Sequence, residues 1–216
     1  MPGKLTYFAV GGRAFPIRAM CFAGGMDIED CRVTFDDWPA LKPDTPMGSM
    51  PMWEEDGFTM VQGKAIQRML AIRLGVYPAD PNLAFRVDSM VEFFEGLADI
   101  HAAYMLPSIQ SGSFDEEKGR EYIKNVWDVL FPIVENRLVK SGKDWIGGTD
   151  TISTCDYKLG QLLYGVTDIN PMCMLPPLLK ADIANKIRMS PKFAAWYVRF
   201  KAAIGPYIAQ NDNTPV

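Results

Sequence analysis

The chain has 216 residues, of which 48% are hydrophobic and 22% charged, with a net charge of −4, one histidine and four cysteines. That length suggests one large domain or two small ones, with enough apolar residues for a sizeable core and too few charges for disorder. The mildly acidic, evenly mixed charge argues against a general nucleic-acid binder, a lone histidine (His101) rules out multi-histidine zinc sites, and Cys21, Cys31, Cys155 and Cys173 form no C-x-x-C pair for a closed zinc site.

The elements follow in chain order. Lys4–Val10 is short, β-branched and aromatic, and reads as a strand ended by Gly11-Gly12. Ala14–Phe22 reads as a helix, with Pro16 tolerable in its first turn and Gly24-Gly25 as the stop. Asp30–Phe35 alternates as a second strand. Asp36–Pro46, with three prolines, has loop chemistry. Ser49–Glu54 and Phe58–Val61 form a hairpin across Glu55-Asp56-Gly57. Gln62–Leu74 is a helix whose broad apolar face carries Ala65, Ile66, Met69, Leu70 and Ile72. The order βαβ then ββα is that of a thioredoxin-like α/β domain over residues 1–76.

The segment Val76–Asn82 has two prolines and no periodicity, and residues 77–83 are read as a linker. Residues 84–216 then read as an all-helical domain. Over Ala84–Leu106, apolar residues recur at 87, 90, 91, 94, 97, 98, 104 and 105, a helical stripe. Asp115–Lys140 repeats the pattern through Ile123, Val126, Trp127, Leu130, Val134 and Leu138. Ser153-Thr154-Cys155-Asp156 resembles a capping box, with Ile152 and Tyr157 at the staple positions. Ser190-Pro191 opens a last helix through Ala203. No stretch reaches the roughly 18–20 apolar residues that span a bilayer. The short N-terminus shows no signal-peptide pattern, and sparse cysteines fit a reducing cytosol, so a cytoplasmic protein with no membrane or nucleic-acid partner is expected. The thirteen methionines read as gap filling in helical cores.

Chemistry gathers in the first 75 residues. Leu5-Thr6-Tyr7-Phe8 ends the first strand and is followed by Gly11-Gly12-Arg13. Asp37-Trp38-Pro39 and Lys42 lie in the irregular segment. Gly48-Ser49-Met50-Pro51 precedes the hairpin, and Gln62-Gly63 opens a helix. Singly, each has a structural explanation: strand packing, a turn, a helix cap, an indole over the core.

Together and in this order, the segments LTYF…GGRAFPIR (5–18), DDWPALKP (36–43), GSMPMWEEDG (48–57) and QGKAIQRMLAIRLG (62–75) resemble the cytosolic glutathione transferases, closest to the sigma class. The capping box at 153–156 matches one in that family's helical domain. The resemblance implies a homodimeric enzyme of detoxification that binds glutathione as co-substrate, needs no metal, and conjugates the tripeptide to small hydrophobic electrophiles. A free thiol with a pKa near 8.5 is only a few per cent thiolate at pH 7, so the enzyme gains rate by stabilising the thiolate. Tyr7 matches the family's catalytic hydroxyl donor, and Arg13 adds positive field near the sulfur. Ser49 and Met50-Pro51 match the cis-proline turn that pairs with the cysteinyl backbone. Trp38 and Lys42 match the residues that hold the glycyl carboxylate, and Gln62 the γ-glutamyl clamp at a helix N-terminus. Gly63 departs from the pattern. The family usually has Ser or Thr there, and losing the hydroxyl is expected to weaken glutathione binding by about 1–2 kcal/mol. Glu95, with Asp99 as the fallback, aligns with the carboxylate that the family sends from the partner subunit to the glutamyl amine. Tyr104, Met105 and Tyr207 are candidates for the electrophile pocket, with core packing as the alternative for each. His101 falls on an apolar stripe and reads as a core histidine, and Cys21 and Cys31 as buried hydrophobes. A glutathione-dependent isomerase of the prostaglandin D synthase type, a peroxidase, and a non-enzymatic crystallin or ligand carrier remain as alternative functions.

Overall fold

The computed structural model describes residues 2–167 and 175–210. Cys173 lies outside them. A four-stranded sheet comes first, built from β1 (Gly3–Phe8), β2 (Ile28–Val33), β3 (Met52–Glu55) and β4 (Phe58–Val61) in the order β2-β1-β3-β4. β1 runs parallel to β2 and antiparallel to β3, and β3 and β4 form the hairpin. The parallel crossover is α1 (Phe15–Ala23), and α3 (Gly63–Arg73) follows the hairpin. This is the expected βαβ-ββα order. The segment between β2 and β3 coils into short helical turns, among them α2 (Trp38–Leu41), where loop was expected.

The helical part comprises α4 (Pro81–Ser111), α5 (Glu116–Tyr122), α6 (Asp128–Ser141), α7 (Thr154–Tyr164), α8 (Pro177–Met189) and α9 (Pro191–Gln210). The apolar stripe of α4 is buried at Val87, Met90, Val91, Phe94, Leu97, Ala98 and Met105. The helix starts at Pro81, so the expected linker ends earlier: Asp80 accepts from Leu83 N at 2.8 Å, and Pro81 needs no amide partner in the first turn. The expected helix over 115–140 is two helices joined by a π turn, Ile123–Trp127. Asp115 caps it, accepting from the amides of Glu117 and Lys118, and its stripe from Ile123 to Leu138 is buried as expected.

β2 begins at Ile28, two residues before the expected start, because its parallel register with β1 pairs Gly3 with Ile28. α8 was not anticipated. It buries only Leu179 and Ile183, and its remaining surface is polar enough to read as loop. α9 continues past Ala203 to Gln210, with Pro206 inside it.

The two parts share one core. α1 packs on α3, α7 and α9, and α4 on α7. Gln67 of α3, fully buried, donates from Nε2 to the Thr154 carbonyl at 2.9 Å and to Thr154 Oγ1 at 2.7 Å. The capping box at the start of α7 forms, with both of its reciprocal bonds present. The Asp156 carboxylate there also accepts from Ile146 N at 3.0 Å and from Trp196 Nε1 at 2.7 Å, so one buried acid joins α7, α9 and the loop before them.

Candidate functional site

The site grows from the C-terminal end of β1. Alternation along this strand turns Leu5 and Tyr7 into the core. The strand end is held by Arg18 of α1, a buried side chain whose guanidinium donates to the carbonyls of Val10 (2.6 Å) and Phe8 (3.3 Å) and to Asp30 of β2 (3.0 Å). The same guanidinium lies 5.9 Å from the centre of the Tyr7 ring. Nothing in the motif pattern marks Arg18 for this role. A cation inside an otherwise apolar helix face was the available signal.

After β1 the chain turns at Gly11–Arg13. Gly12 has φ +41, and a Cβ there would lie 2.8 Å from the Tyr7 hydroxyl. The missing side chain lets the backbone close over the phenol. The Arg13 amide donates to the Tyr7 hydroxyl oxygen at 3.1 Å. That bond uses an oxygen lone pair and leaves the hydroxyl proton free for another acceptor. Burial raises the Tyr7 pKa above its ordinary value, although the Arg13 amide and the charges of Arg13 and Arg18 oppose the shift. The phenol therefore carries its proton at neutral pH.

Next to this turn opens a cavity of about 380 Å³, lined by Arg13, Ser49, Met50, Pro51, Gln62, Gly63, Lys64, Glu95, Asp99 and Lys158. The fold thus brings Arg13, Ser49, Met50, Pro51, Gln62 and Gly63 to one cavity, and adds Glu95 of the same chain. The Met50–Pro51 peptide bond is cis. Gln62 caps α3 with φ +78, an uncommon conformation for a residue with a side chain, of the kind that clusters at ligand sites. Gly63 opens the helix, and a Cβ there would lie 3.2 Å from Pro51 Cγ. Trp38 and Lys42 do not line this cavity. Trp38 is half-buried, edge-on to Phe8 at 5.8 Å, and Phe8 also stacks on Phe35 at 4.6 Å. Lys42 is exposed, with its stem running past Gly48.

Glu95 was assigned from sequence to a partner's site. In this structure it lines the cavity of its own chain. It accepts from Arg13 Nε at 3.0 Å and pairs with the buried ammonium of Lys158. Burial pushes its carboxyl up, but Lys158 and Arg13 outweigh this and hold its pKa below the ordinary range. Asp99 takes the Arg13 guanidinium at 2.5 Å. Lys64 and Lys158 were not anticipated.

Tyr104, Met105 and Tyr207 do not line the cavity. Tyr104 stacks on Tyr122 at 4.7 Å, Met105 is buried in the core, and Tyr207 is buried edge-on to Phe15 and Phe22. His101 is half-buried with Nδ1 2.8 Å from the Tyr122 hydroxyl, and burial pushes its pKa down to about 4. Cys21 is a buried thiol pushed up to about 12, whereas Cys31 is only half-buried. Among the described residues no helix is long and apolar enough to cross a membrane, and no cluster of His, Cys, Asp or Glu could hold a metal ion.

No protein-family model matches the chain. Among curated proteins, it is 30% identical over 215 residues to glutathione S-transferase 1 of Ascaris suum, covering 98% of each chain. It is also 33% identical over 192 residues to glutathione S-transferase alpha-3 of Rattus norvegicus, covering 84% of this chain and 83% of the relative. The chain belongs to the glutathione S-transferase family. Among solved structures, NaGST-2 superposes with a TM-score of 0.79 at 26% identity, covering 96% of this chain and 95% of that one. The sheet followed by helices is accordingly the glutathione S-transferase fold.

Proposed function

We propose that this glutathione S-transferase binds glutathione in the cavity beside Tyr7, stabilises its thiolate by a hydrogen bond from the Tyr7 hydroxyl, and conjugates it to small hydrophobic electrophiles. The observation that carries the reading is the Tyr7 hydroxyl itself. It is buried, protonated at neutral pH, fixed by the Arg13 amide, and has its own proton left to donate. A thiolate placed there accepts that proton's hydrogen bond, and its lost proton passes to solvent. The sulfur then attacks the electrophile and the leaving group departs with the displaced electron pair.

Residues 1–76 form the glutathione-binding domain in this reading, with the linker ending at Asp80 and the helical domain beginning at Pro81. Met50 pairs its backbone with the cysteinyl unit, and Ser49, Gln62, Gly63 and the N-terminus of α3 take the γ-glutamyl carboxylate. Trp38 and Lys42 take the glycyl carboxylate. Glu95 and Asp99 offer negative charge for the glutamyl amine. The segments LTYF and GSMP favour the sigma class, and a cytoplasmic homodimer follows the family habit.

Steady-state conjugation of an aryl halide tests the activity. The expected result is a saturable dependence on glutathione, with kcat/KM reduced tenfold or more in Tyr7→Phe. Negligible conjugation by folded protein, unchanged in Tyr7→Phe, would point to a carrier or crystallin role. Isomerisation of prostaglandin H2 faster than conjugation would reassign the electrophile.

A further inference from the structure

Lys158 lies in α7, within a run from Thr154 to Gly160 that is buried throughout. Its side chain is only 2% exposed. A lysine is seldom buried so fully without a partner, because desolvating an ammonium is costly. Two partners meet it: the Glu95 carboxylate of α4, and Gln161 Oε1 at 2.8 Å. The other oxygen of Glu95 accepts from Arg13 Nε, and the Arg13 amide donates to the Tyr7 hydroxyl. A continuous polar path therefore runs Lys158, Glu95, Arg13, Tyr7.

The charges explain why a cation is needed at its far end. Arg13 faces two carboxylates, Glu95 and Asp99. Without Lys158 that cluster would carry net negative charge beside the place where a thiolate has to be stabilised. With it, each oxygen of Glu95 has its own cation and the carboxylate is fixed between them. The charged groups facing Lys158 are Glu95 from α4, Arg13 from the turn before α1, and Lys64 from α3. Burial lowers its pKa, Glu95 opposes this, and Arg13 and Lys64 add to it.

We propose that Lys158 is a positioning residue for the thiolate site: by taking one oxygen of Glu95 it aims the other at Arg13, and so holds both the Arg13 charge and the Arg13 amide in place at Tyr7. This inference rests on the reading that Tyr7 stabilises the thiolate of glutathione. Lys158 also borders the cavity, but on this proposal its effect on the thiolate passes through Glu95, and that sets it apart both from a direct ligand and from a residue that merely fills the core.

The test is a double-mutant cycle on the full-length protein with glutathione as the probe. The thiolate absorbance of bound glutathione is titrated in wild type, Lys158→Met, Lys158→Arg, Glu95→Gln and the Glu95→Gln/Lys158→Met double variant. Lys158→Met should raise the bound thiol pKa by about half a unit to one unit. At a pH below the wild-type thiol pKa, kcat/KM should fall about three- to tenfold in step with that rise. Lys158→Arg should keep most of the wild-type value. The double variant should match Glu95→Gln alone, because Lys158 has nothing to act through once the carboxylate is gone. An unchanged thiol pKa in Lys158→Met, or shifts that simply add in the double variant, overturns the proposal while leaving the role of Tyr7 intact. Should Lys158→Met alone fail to fold, Glu95→Gln against the double variant decides by the same criterion. A wild-type thiol pKa no lower than that of free glutathione defeats both readings together.

Discussion

Gly63 is where the cavity departs from its family, and restoring a hydroxyl there gives a quantitative test. The residue opens α3 beside Gln62, and a serine Oγ would point toward the carboxylate that the helix N-terminus attracts. A hydrogen bond to a charged group contributes about 1.5–3 kcal/mol. The new Cβ would lie 3.2 Å from Pro51 Cγ and 3.4 Å from Cδ, so the buried proline ring has to give by a few tenths of an ångström. Replacing glycine inside the helix returns about half a kcal/mol of backbone entropy to folding, which offsets part of that contact in the melting temperature and does not enter the binding. Desolvating the hydroxyl takes back part of the hydrogen bond, leaving a gain of about 1–2 kcal/mol in binding, or about five- to thirtyfold in the Kd for glutathione. Isothermal titration of glutathione into wild type and Gly63→Ser measures it, with melting temperatures run alongside. An unchanged Kd in a variant that melts as wild type does would refute the placement of the γ-glutamyl carboxylate at this helix end.

Three further substitutions probe the turn over Tyr7, the Asp156 network and the buried imidazole. Gly12→Ala puts a methyl group 2.8 Å from the Tyr7 hydroxyl, closer than van der Waals contact, at a backbone angle that costs about 1–2 kcal/mol. Conjugation should fall more than tenfold with only a modest loss of melting temperature, and wild-type rates would show that the turn does not position the phenol. Asp156→Ala strips acceptors from Ser153, Ile146 and Trp196 in a buried network, for a loss of about 3–5 kcal/mol. Chemical denaturation should show it, and a loss under about 1 kcal/mol would mean the network carries little stability. His101 is neutral when folded, with a pKa of about 4 against 6.5 unfolded, so below pH 6.5 the unfolded chain binds the extra proton. Its contribution is intact above pH 6.5 and is lost as the pH falls toward 4. Between pH 7 and pH 5 the wild-type melting temperature should drop more than that of His101→Phe, and equal drops would place the acid sensitivity elsewhere.

How far the fold could be read in the sequence depended on the strength of each local signal. The α4 stripe, the 153–156 capping box and the Glu55-Asp56-Gly57 hairpin all formed, because periodicity, cap chemistry and turn residues are local. α8 went unseen because a helix that buries only Leu179 and Ile183 looks like loop in one dimension. The placing of Arg13, Ser49 and Gln62 near one another was legible through motif order, whereas Glu95, expected to serve a partner's site, lines the cavity of its own chain. What joins them was not legible. Lys158 stands 63 residues after Glu95, and only the packing of α4 on α7 brings the two charges into contact. Tyr207, weighed as an electrophile contact, packs against Phe15 and Phe22 because α9 docks on α1. An aromatic near a C-terminus carries no sign of which neighbour it will meet.

Everything proposed for this site turns on a protonated Tyr7 hydroxyl that stabilises the thiolate of bound glutathione. Ultraviolet titration of the thiol of bound glutathione in wild type and Tyr7→Phe tests it directly. The wild-type thiol pKa should lie at least one unit below the free value of about 8.5 and rise by about one unit or more in Tyr7→Phe. A wild-type thiol that titrates as it does in solution, or a depressed pKa that survives Tyr7→Phe unchanged, would contradict it.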